Sequence, residues 1–421
     1  MKKYSIIFIC LLCLFIGCSE KPEVEPAAAP LPDIKKETLA FANGEVSPDC
    51  ERLSLILQAG ETTLLEALPD LCFGDFRGSE CEEELIDYAL SHPQQELLYT
   101  LTLPTGIFEN TAEELDLSFC TAEELRNAAP KLRGFSCLQR LNLGDRSAEE
   151  LSAVAELRRV CPELPFAGSA EVFRHSLDLA SRELDLSAIP LRGKREELDR
   201  LLGCLAEGTK VDLVGSRLDI NDYGILFDKY PALELVTAVS LSKTTILRTD
   251  SEVICCNNIS TEAQCDALRF FRNCRALDLG HSGIRDLRFA ENMPELSVLI
   301  VALTEVEDLS PLQNCPKLEY LEIFRTKVTD LTPLADKGCL KHLNLVYTAV
   351  TDISPLQSCP LERLWLGEST PVDPAAIEAF RSEHPDCVVN DTVGNPTSDG
   401  WRNDGKDYVP RYKELRETFQ Y

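Results

Sequence analysis

The chain has 421 residues, 44% of them apolar, which is enough for a large core or one long solenoid. Its 70 acidic and 42 basic side chains give a formal charge of −28. So negative a surface repels phosphate backbones and anionic headgroups, which argues against a nucleic-acid partner.

The first element is a targeting segment, residues 1–17. Lys2 and Lys3 precede an apolar run from Ile6 to Ile16, then Gly17-Cys18-Ser19. This is the layout of a secretory signal, and the run is too short to cross a bilayer comfortably. Phe15-Ile16-Gly17-Cys18 resembles the lipobox of bacterial lipoproteins, with Phe15 where leucine is more usual. The resemblance implies that Cys18 is the first mature residue and carries a lipid thioether. The protein would then be exported and lipid-anchored to the bacterial cell membrane, facing outside the cytoplasm. Residues 18–40, rich in Pro, Ala and Glu, read as a flexible tether.

Residues 41–273 carry a long, worn repeat. Glu114-Leu-Asp-Leu-Ser118 recurs as Glu183-Leu-Asp-Leu-Ser187, 69 residues on, and again in worn form as Glu252-Val-Ile-Cys-Cys256. Pro93, Pro162 and Pro231 keep the same step. An amphipathic helix leads to each proline, which ends it. An extended segment follows, such as Glu96 to Leu103. A second strand triplet comes later in each copy: Leu141-Asn-Leu143, Val211-Asp-Leu213 and Leu277-Asp-Leu279. The pattern predicts double units of strand, helix, strand, helix in one continuous stack, with Arg52–Gly78 as an N-terminal cap.

Residues 274–370 repeat every 22 residues with one slip: Leu296, Leu318, Leu340 and Leu361 open successive turns. Each turn begins with a short strand, such as Leu318-Glu-Tyr-Leu321-Glu-Ile323. Ser282, Thr304, Thr326 and Thr348 follow the first four strands, and Asp286, Asp308, Asp330 and Asp352 come four residues after each of them. One such turn cannot bury its own leucines, so turns stack leucine on leucine. The aspartates read as caps of short convex turns, with proline at a first helical position. A calcium string is the rival reading, but calcium needs six to eight oxygens in one place. This is the leucine-rich-repeat pattern, and the stretch resembles the 22-residue repeats of bacterial internalin-like surface proteins. The resemblance implies an α/β solenoid: a curved parallel sheet on the concave side, helices and short 3-10 turns on the convex side.

Residues 371–390 read as a C-terminal cap, with a helix from Ala375 to Glu383 and a strand at Cys387-Val-Val389. Residues 391–421 form a polar tail with a helix over Tyr412–Phe419, and Trp401 and Tyr408 are its candidate anchors to the body.

Cysteines are many. Three of the 18 lie in the targeting segment, and the fifteen that remain cannot all pair within the chain. None of those fifteen forms a C-x-x-C pair that would suggest zinc. Cys161, Cys274, Cys315, Cys339 and Cys359 sit where repeats meet and read as small packing residues, with a few disulfides as the alternative in an exported chain.

No catalytic constellation is present. The sequence lacks H-E-x-x-H, G-x-S-x-G and any phosphate-cradling glycine loop, and His281 and His342 lie several turns apart. The chain is therefore expected to be no enzyme, with no cofactor or metal. The informative surface is the concave face of the array, where alternate residues point out. Val298, Ile300, Tyr320, Phe324, His342, Val346, Tyr347, Arg363 and Trp365 make a dense apolar and aromatic strip there. Either it binds a protein or peptide partner, or the tail or N-terminal region folds over it. The expected function is a monomeric, membrane-anchored recognition protein. A host-cell or matrix adhesin, and an enzyme or carbohydrate-processing accessory, are the alternatives.

Overall fold

A computed structural model describes residues 38–392, 394–398 and 400–421. The targeting segment, Cys18 and most of the tether lie outside the described residues.

The leucine ladder closes as the spacing requires. Seven strands, Val253–Cys255, Ala276–Asp278, Val298–Ile300, Tyr320–Glu322, His342–Asn344, Arg363–Trp365 and Val388–Asn390, form one parallel sheet in sequence order. Leu277, Leu299, Leu321, Leu343 and Leu364 pair in register at the strand centres, and each is 0% exposed. Each strand lasts only three residues because the chain then turns sharply. Leu303, Arg325 and Tyr347 adopt φ of 58°, 53° and 60°, a left-handed conformation that a side chain disfavours. The ladder holds them there: the Leu303 and Arg325 N–H groups donate to the carbonyls of Phe324 and Val346, one turn on. Next in the turn, the Thr304, Thr326 and Thr348 hydroxyls donate to the carbonyls three residues back, at 2.6, 2.7 and 2.7 Å.

The convex side is made of 3-10 turns, among them Ser310–Asn314, Thr332–Leu334 and Ser354–Leu356. Asp308, Asp330 and Asp352 each accept the N–H two residues on, at 2.8 Å. Hydrogen bonds from the hydroxyls and N–H groups of Ser310 and Thr332, and from the N–H and hydroxyl of Ser354, hold their carboxyls below the usual carboxylate range. The cysteines at the joints act in the same way. The Cys315 and Cys359 thiols donate to the carbonyls of Ala290 and Leu334 in the preceding turn. All fifteen cysteines among the described residues are free.

The long units differ from the double-unit expectation. Each carries three parallel strands, and a β-hairpin then interrupts the sheet. The blocks are Arg52–Ser54, Phe73–Asp75 and Glu96–Leu98; then Glu114–Asp116, Arg140–Ser147 and Phe166–Val172; then Glu183–Asp185, Lys210–Asp212 and Glu234–Val236. The hairpins are Thr100–Leu103 with Gly106–Glu109, the second half of Phe166–Val172 with His175–Asp178, and Ala238–Ser240 with Ile246–Arg248. Their buried residues Leu101, Ala170 and Val239 keep the 69-residue step. The hairpins divide the parallel sheet into blocks, while one hydrophobic core still runs through the blocks and the array, from Phe41 to Cys387. The alternation of Glu96–Leu103 runs through both the last strand of the block and the first arm of the hairpin, which made them read as one segment.

The worn third copy has a local cause. Strand centres Leu115 and Leu184 lie 69 residues apart, but Ile254 follows after 70. The extra length falls in the third hairpin, whose loop spans 241–245 where the first two hairpins turn in two residues. The second hairpin turns on Phe173 and Arg174 at φ 54° and 67°, where glycine or asparagine is usual. Phe173 is held by burial and by its N–H donating to Glu197 Oε1 at 2.9 Å.

At the C-terminal end, Pro374–Glu383 forms a helix started by Asp373, which accepts the Ala375 N–H at 2.8 Å. After the last strand the chain doubles back. An Asn403–Tyr408 bridge and a helix over Pro410–Phe419 return it across the concave face.

Candidate functional site: a tail clasped on the concave face

The concave strip is filled by the chain's own tail. Val298, Ile300, Tyr320, Phe324, Val346 and Trp365 form one buried cluster with Ala276, Trp401, Tyr412, Leu415 and Phe419. Their expected role as an open partner-binding surface is therefore corrected for this state of the molecule, and His342 is buried with them. Arg363 is half-buried, and Tyr347 keeps 36% exposure at the rim. The physical reason is the cost of leaving contiguous apolar area in water.

Two segments do the covering. The Pro410–Phe419 helix packs over the first two strands, Val253–Cys255 and Ala276–Asp278, and brings Tyr412, Leu415 and Phe419 into the cluster. The preceding loop inserts Trp401, which is 0% exposed, over the middle of the sheet. Gly400 sits at φ +94°, a conformation that side chains rarely adopt, and so lets the chain turn into that entry. The Trp401 ring lies 5.3 Å from Tyr320 and 5.4 Å from Trp365. The Arg363 guanidinium stands 5.0 Å over Trp401 and donates to its carbonyl at 3.2 Å.

Glu322 is the polar centre of the clasp. It is 0% exposed on its strand, and its carboxylate accepts Trp401 Nε1 at 2.9 Å and Arg402 Nε at 3.2 Å. Arg402 Nη2 closes the ion pair, and the Tyr320 hydroxyl is a further donor. A carboxylate so buried is tolerable only with its acceptor sites filled, and here a tryptophan, an arginine and a tyrosine fill them. At the rim, Asn344 Nδ2 donates to the Pro396 carbonyl at 2.7 Å and Tyr347 Oη to the Gly394 carbonyl at 2.6 Å. Those two bonds read backbone, so they fix the path of the tail without choosing its sequence.

Burial sets the electrostatics. It pushes the Asp278 carboxyl up to about 6, and Glu322 adds repulsion against the opposing Gly280 N–H. It pulls the His342 imidazole down to about 4, with Arg363 and Arg411 acting in the same direction. Tyr320 is pushed well above its ordinary value by burial and by Glu322. His342 Nδ1 and Trp365 Nε1 are buried with no hydrogen-bond partner among the described residues.

Sequence reasoning found the strip and Trp401 but missed Glu322, Arg402, Asn344 and Asp278. A lone carboxylate at an outward position of an otherwise apolar strip was the available signal for Glu322. Tyr408, expected to anchor the tail, is instead 48% exposed, and its side chain meets the tail's own Tyr412 and Arg416. Among the described residues no group of three or more His, Cys, Asp or Glu is placed to hold a metal ion.

The stacked three-residue strands, convex 3-10 turns and leucine ladder make this chain a leucine-rich-repeat solenoid. No family model matches the chain, and no curated protein matches it. Several solved structures are similar to parts of it. An internalin from Listeria monocytogenes is 18% identical, with 84% of each chain covered and a TM-score of 0.31. Internalin C2 of the same organism is 18% identical over 64% of this chain and 92% of its own, at 0.30. A leucine-rich-repeat protein of Leptospira interrogans is 16% identical over 77% and 91%, at 0.28. At these scores the class rests on the chain's own geometry.

Proposed function

We propose that the protein is a non-enzymatic recognition protein, exported and lipid-anchored through Cys18, which binds a protein or peptide partner on the concave face of its 22-residue array. The observation that carries this reading is the clasp itself. The face holds a peptide segment by an inserted indole, a buried carboxylate–guanidinium pair and two hydrogen bonds to backbone, as a peptide-binding groove does. The tail is then a resident occupant, and a partner binds by displacing it. Anchoring follows from the targeting segment alone; among the described residues no helix is long and apolar enough to cross a membrane.

The test places a photo-crosslinking side chain at Phe324 on intact cells, in the wild-type and Trp401→Ala backgrounds. The reading expects intramolecular adducts to residues 394–402 in the wild type, and at least tenfold more adduct to one defined partner in Trp401→Ala. Adducts confined to the chain itself in both backgrounds would overturn it. Cys18→Ala should abolish incorporation of a fatty-acid analogue and release the protein from the membrane fraction.

A further inference from the structure

The clasp divides its contacts between backbone and side chains, and the division bears on what a displacing segment must carry. At Gly394 and Pro396 the face takes hold of carbonyls, which any sequence could supply. Side-chain recognition is concentrated on Trp401 and Arg402, and on one carboxylate. Glu322 Oε1 accepts the Trp401 indole N–H at 2.9 Å and the Arg402 Nε–H at 3.2 Å, and Glu322 Oε2 accepts Arg402 Nη2. Two adjacent residues of the occupant thus share one buried acceptor. The indole also lies against the Tyr320 and Trp365 rings, and the guanidinium stands 5.8 Å from the Phe324 ring.

Each of these contacts discriminates. Phenylalanine could fill the place of the indole but brings no N–H to the carboxylate. Lysine would bring its charge as a single point, without the planar fork that meets both oxygens. An acidic side chain would be repelled by Glu322 and by a chain of formal charge −28.

The tail does not use the whole face. Trp365 Nε1 and His342 Nδ1 are buried with no hydrogen-bond partner among the described residues, and both rings lie against Trp401, at 5.4 and 6.5 Å. Buried polar groups of native proteins are nearly always satisfied. A segment that offers the Trp365 indole an acceptor gains a bond that the tail lacks, and this favours exchange of the resident segment for another.

We propose that the partner docks through an exposed Trp-Arg pair, in that order, its indole taking the place of Trp401 and its guanidinium the place of Arg402 on Glu322. The proposal rests on the concave-face reading and adds to it the chemistry of the ligand: a protein segment carrying adjacent indole and guanidinium groups.

The test uses full-length Trp401→Ala protein and a labelled peptide of residues 394–421, displaced by unlabelled nonapeptides of Gly and Ser that carry Trp-Arg, Arg-Trp, Trp-Lys or Phe-Arg at their centre. The Trp-Arg peptide should compete at least tenfold better than Arg-Trp, and at least fivefold better than Trp-Lys and Phe-Arg. When Glu322→Gln is added, the preference for arginine over lysine should fall below twofold; a merely structural role of Glu322 would weaken all four peptides alike and keep the ratio. Should Trp401→Ala fail to fold, Arg402→Ala vacates the guanidinium place alone, and the same preference for arginine over lysine is expected there. A 394–421 peptide that does not bind would overturn the concave-face reading and this proposal with it. A 394–421 peptide that binds but is displaced equally by all four competitors, or by none of them, would leave that reading standing and overturn recognition of Trp-Arg.

Discussion

The two halves of the solenoid bury the same leucines and present different concave faces. In the long units the outward strand positions are mostly polar, with Arg52, Asp75, Glu114, Asp116, Asn142, Glu183, Asp185, Lys210 and Asp212 among them. Such a face is stable in water, and hairpins break its sheet every three strands. In the 22-residue array the sheet runs unbroken for seven strands, and its outward positions include Val298, Ile300, Tyr320 and Trp365. That face needs a cover, and the tail provides it. Regularity makes the longer sheet, and the longer sheet creates a surface that must be occupied.

The comparison is broken most severely through the shared ladder. Leu321→Ala or Leu343→Ala should cost about 2–5 kcal/mol in chemical denaturation, because each leaves a cavity between stacked turns. Hydrogen exchange should show the loss spreading to adjacent turns.

Next comes the cover. Glu322→Ala strips the partner from a buried guanidinium, and should weaken the tail's docking by about 3–5 kcal/mol while the ladder stays folded. The readout is exchange of the amides in 394–421 against those of the central strands.

The hairpins give the matching test in the other half. Asn110 accepts the Tyr99 N–H at 3.0 Å and donates to the Leu97 carbonyl at 2.8 Å, tying the first hairpin to its block. Asn110→Ala should cost about 1–3 kcal/mol, since it orphans both buried groups. It should leave tail exchange unchanged.

Acidity sharpens the comparison further, because the covered face holds two groups of opposite sense. Asp278 titrates near 6 under the tail against an ordinary 3.8, so its share of the docking energy is complete below the ordinary value and lost as pH rises through 6. His342 titrates near 4 against 6.5, so its share is complete above 6.5 and lost as pH falls through 4. The two slopes oppose each other between pH 4 and 6, and tail docking in the wild type should be nearly flat there. Asp278→Asn should leave a tail that loosens on acidification, and His342→Gln one that loosens as pH rises. Exchange of 394–421 across that window reads both.

The smallest expected effect is Thr326→Val. It removes one buried hydroxyl bond to the Ile323 carbonyl, and thermal denaturation should show about 0.5–1.5 kcal/mol lost.

The array was legible because its period leaves marks at many positions at once: leucines, threonines and aspartates agree in each turn. The 69-residue period was legible too, but its content was not. A strand running into a hairpin keeps the same alternation, and Pro104-Thr105-Gly106 was the only local sign of the first turn. At the concave face, outward direction follows from strand geometry, so the strip could be named residue by residue. What covers it could not be read, because the contacts of Trp401 with Tyr320 and of Arg402 with Glu322 join positions about 80 residues apart with no periodic relation. Tyr408 and Trp401 look alike in sequence; only the turn at Gly400 and the buried carboxylate opposite separate them.

The concave face holds the chain's own tail, and the proposed peptide-binding groove there is open to a direct test. The most direct test is to add a labelled synthetic peptide of residues 394–421 to full-length Trp401→Ala protein and follow its anisotropy. The account predicts saturable binding to Trp401→Ala, at least tenfold weaker binding to wild type, and loss of binding when Glu322→Gln is added to Trp401→Ala. No binding to a Trp401→Ala protein whose own tail amides exchange freely would contradict it, and so would binding that ignores Glu322.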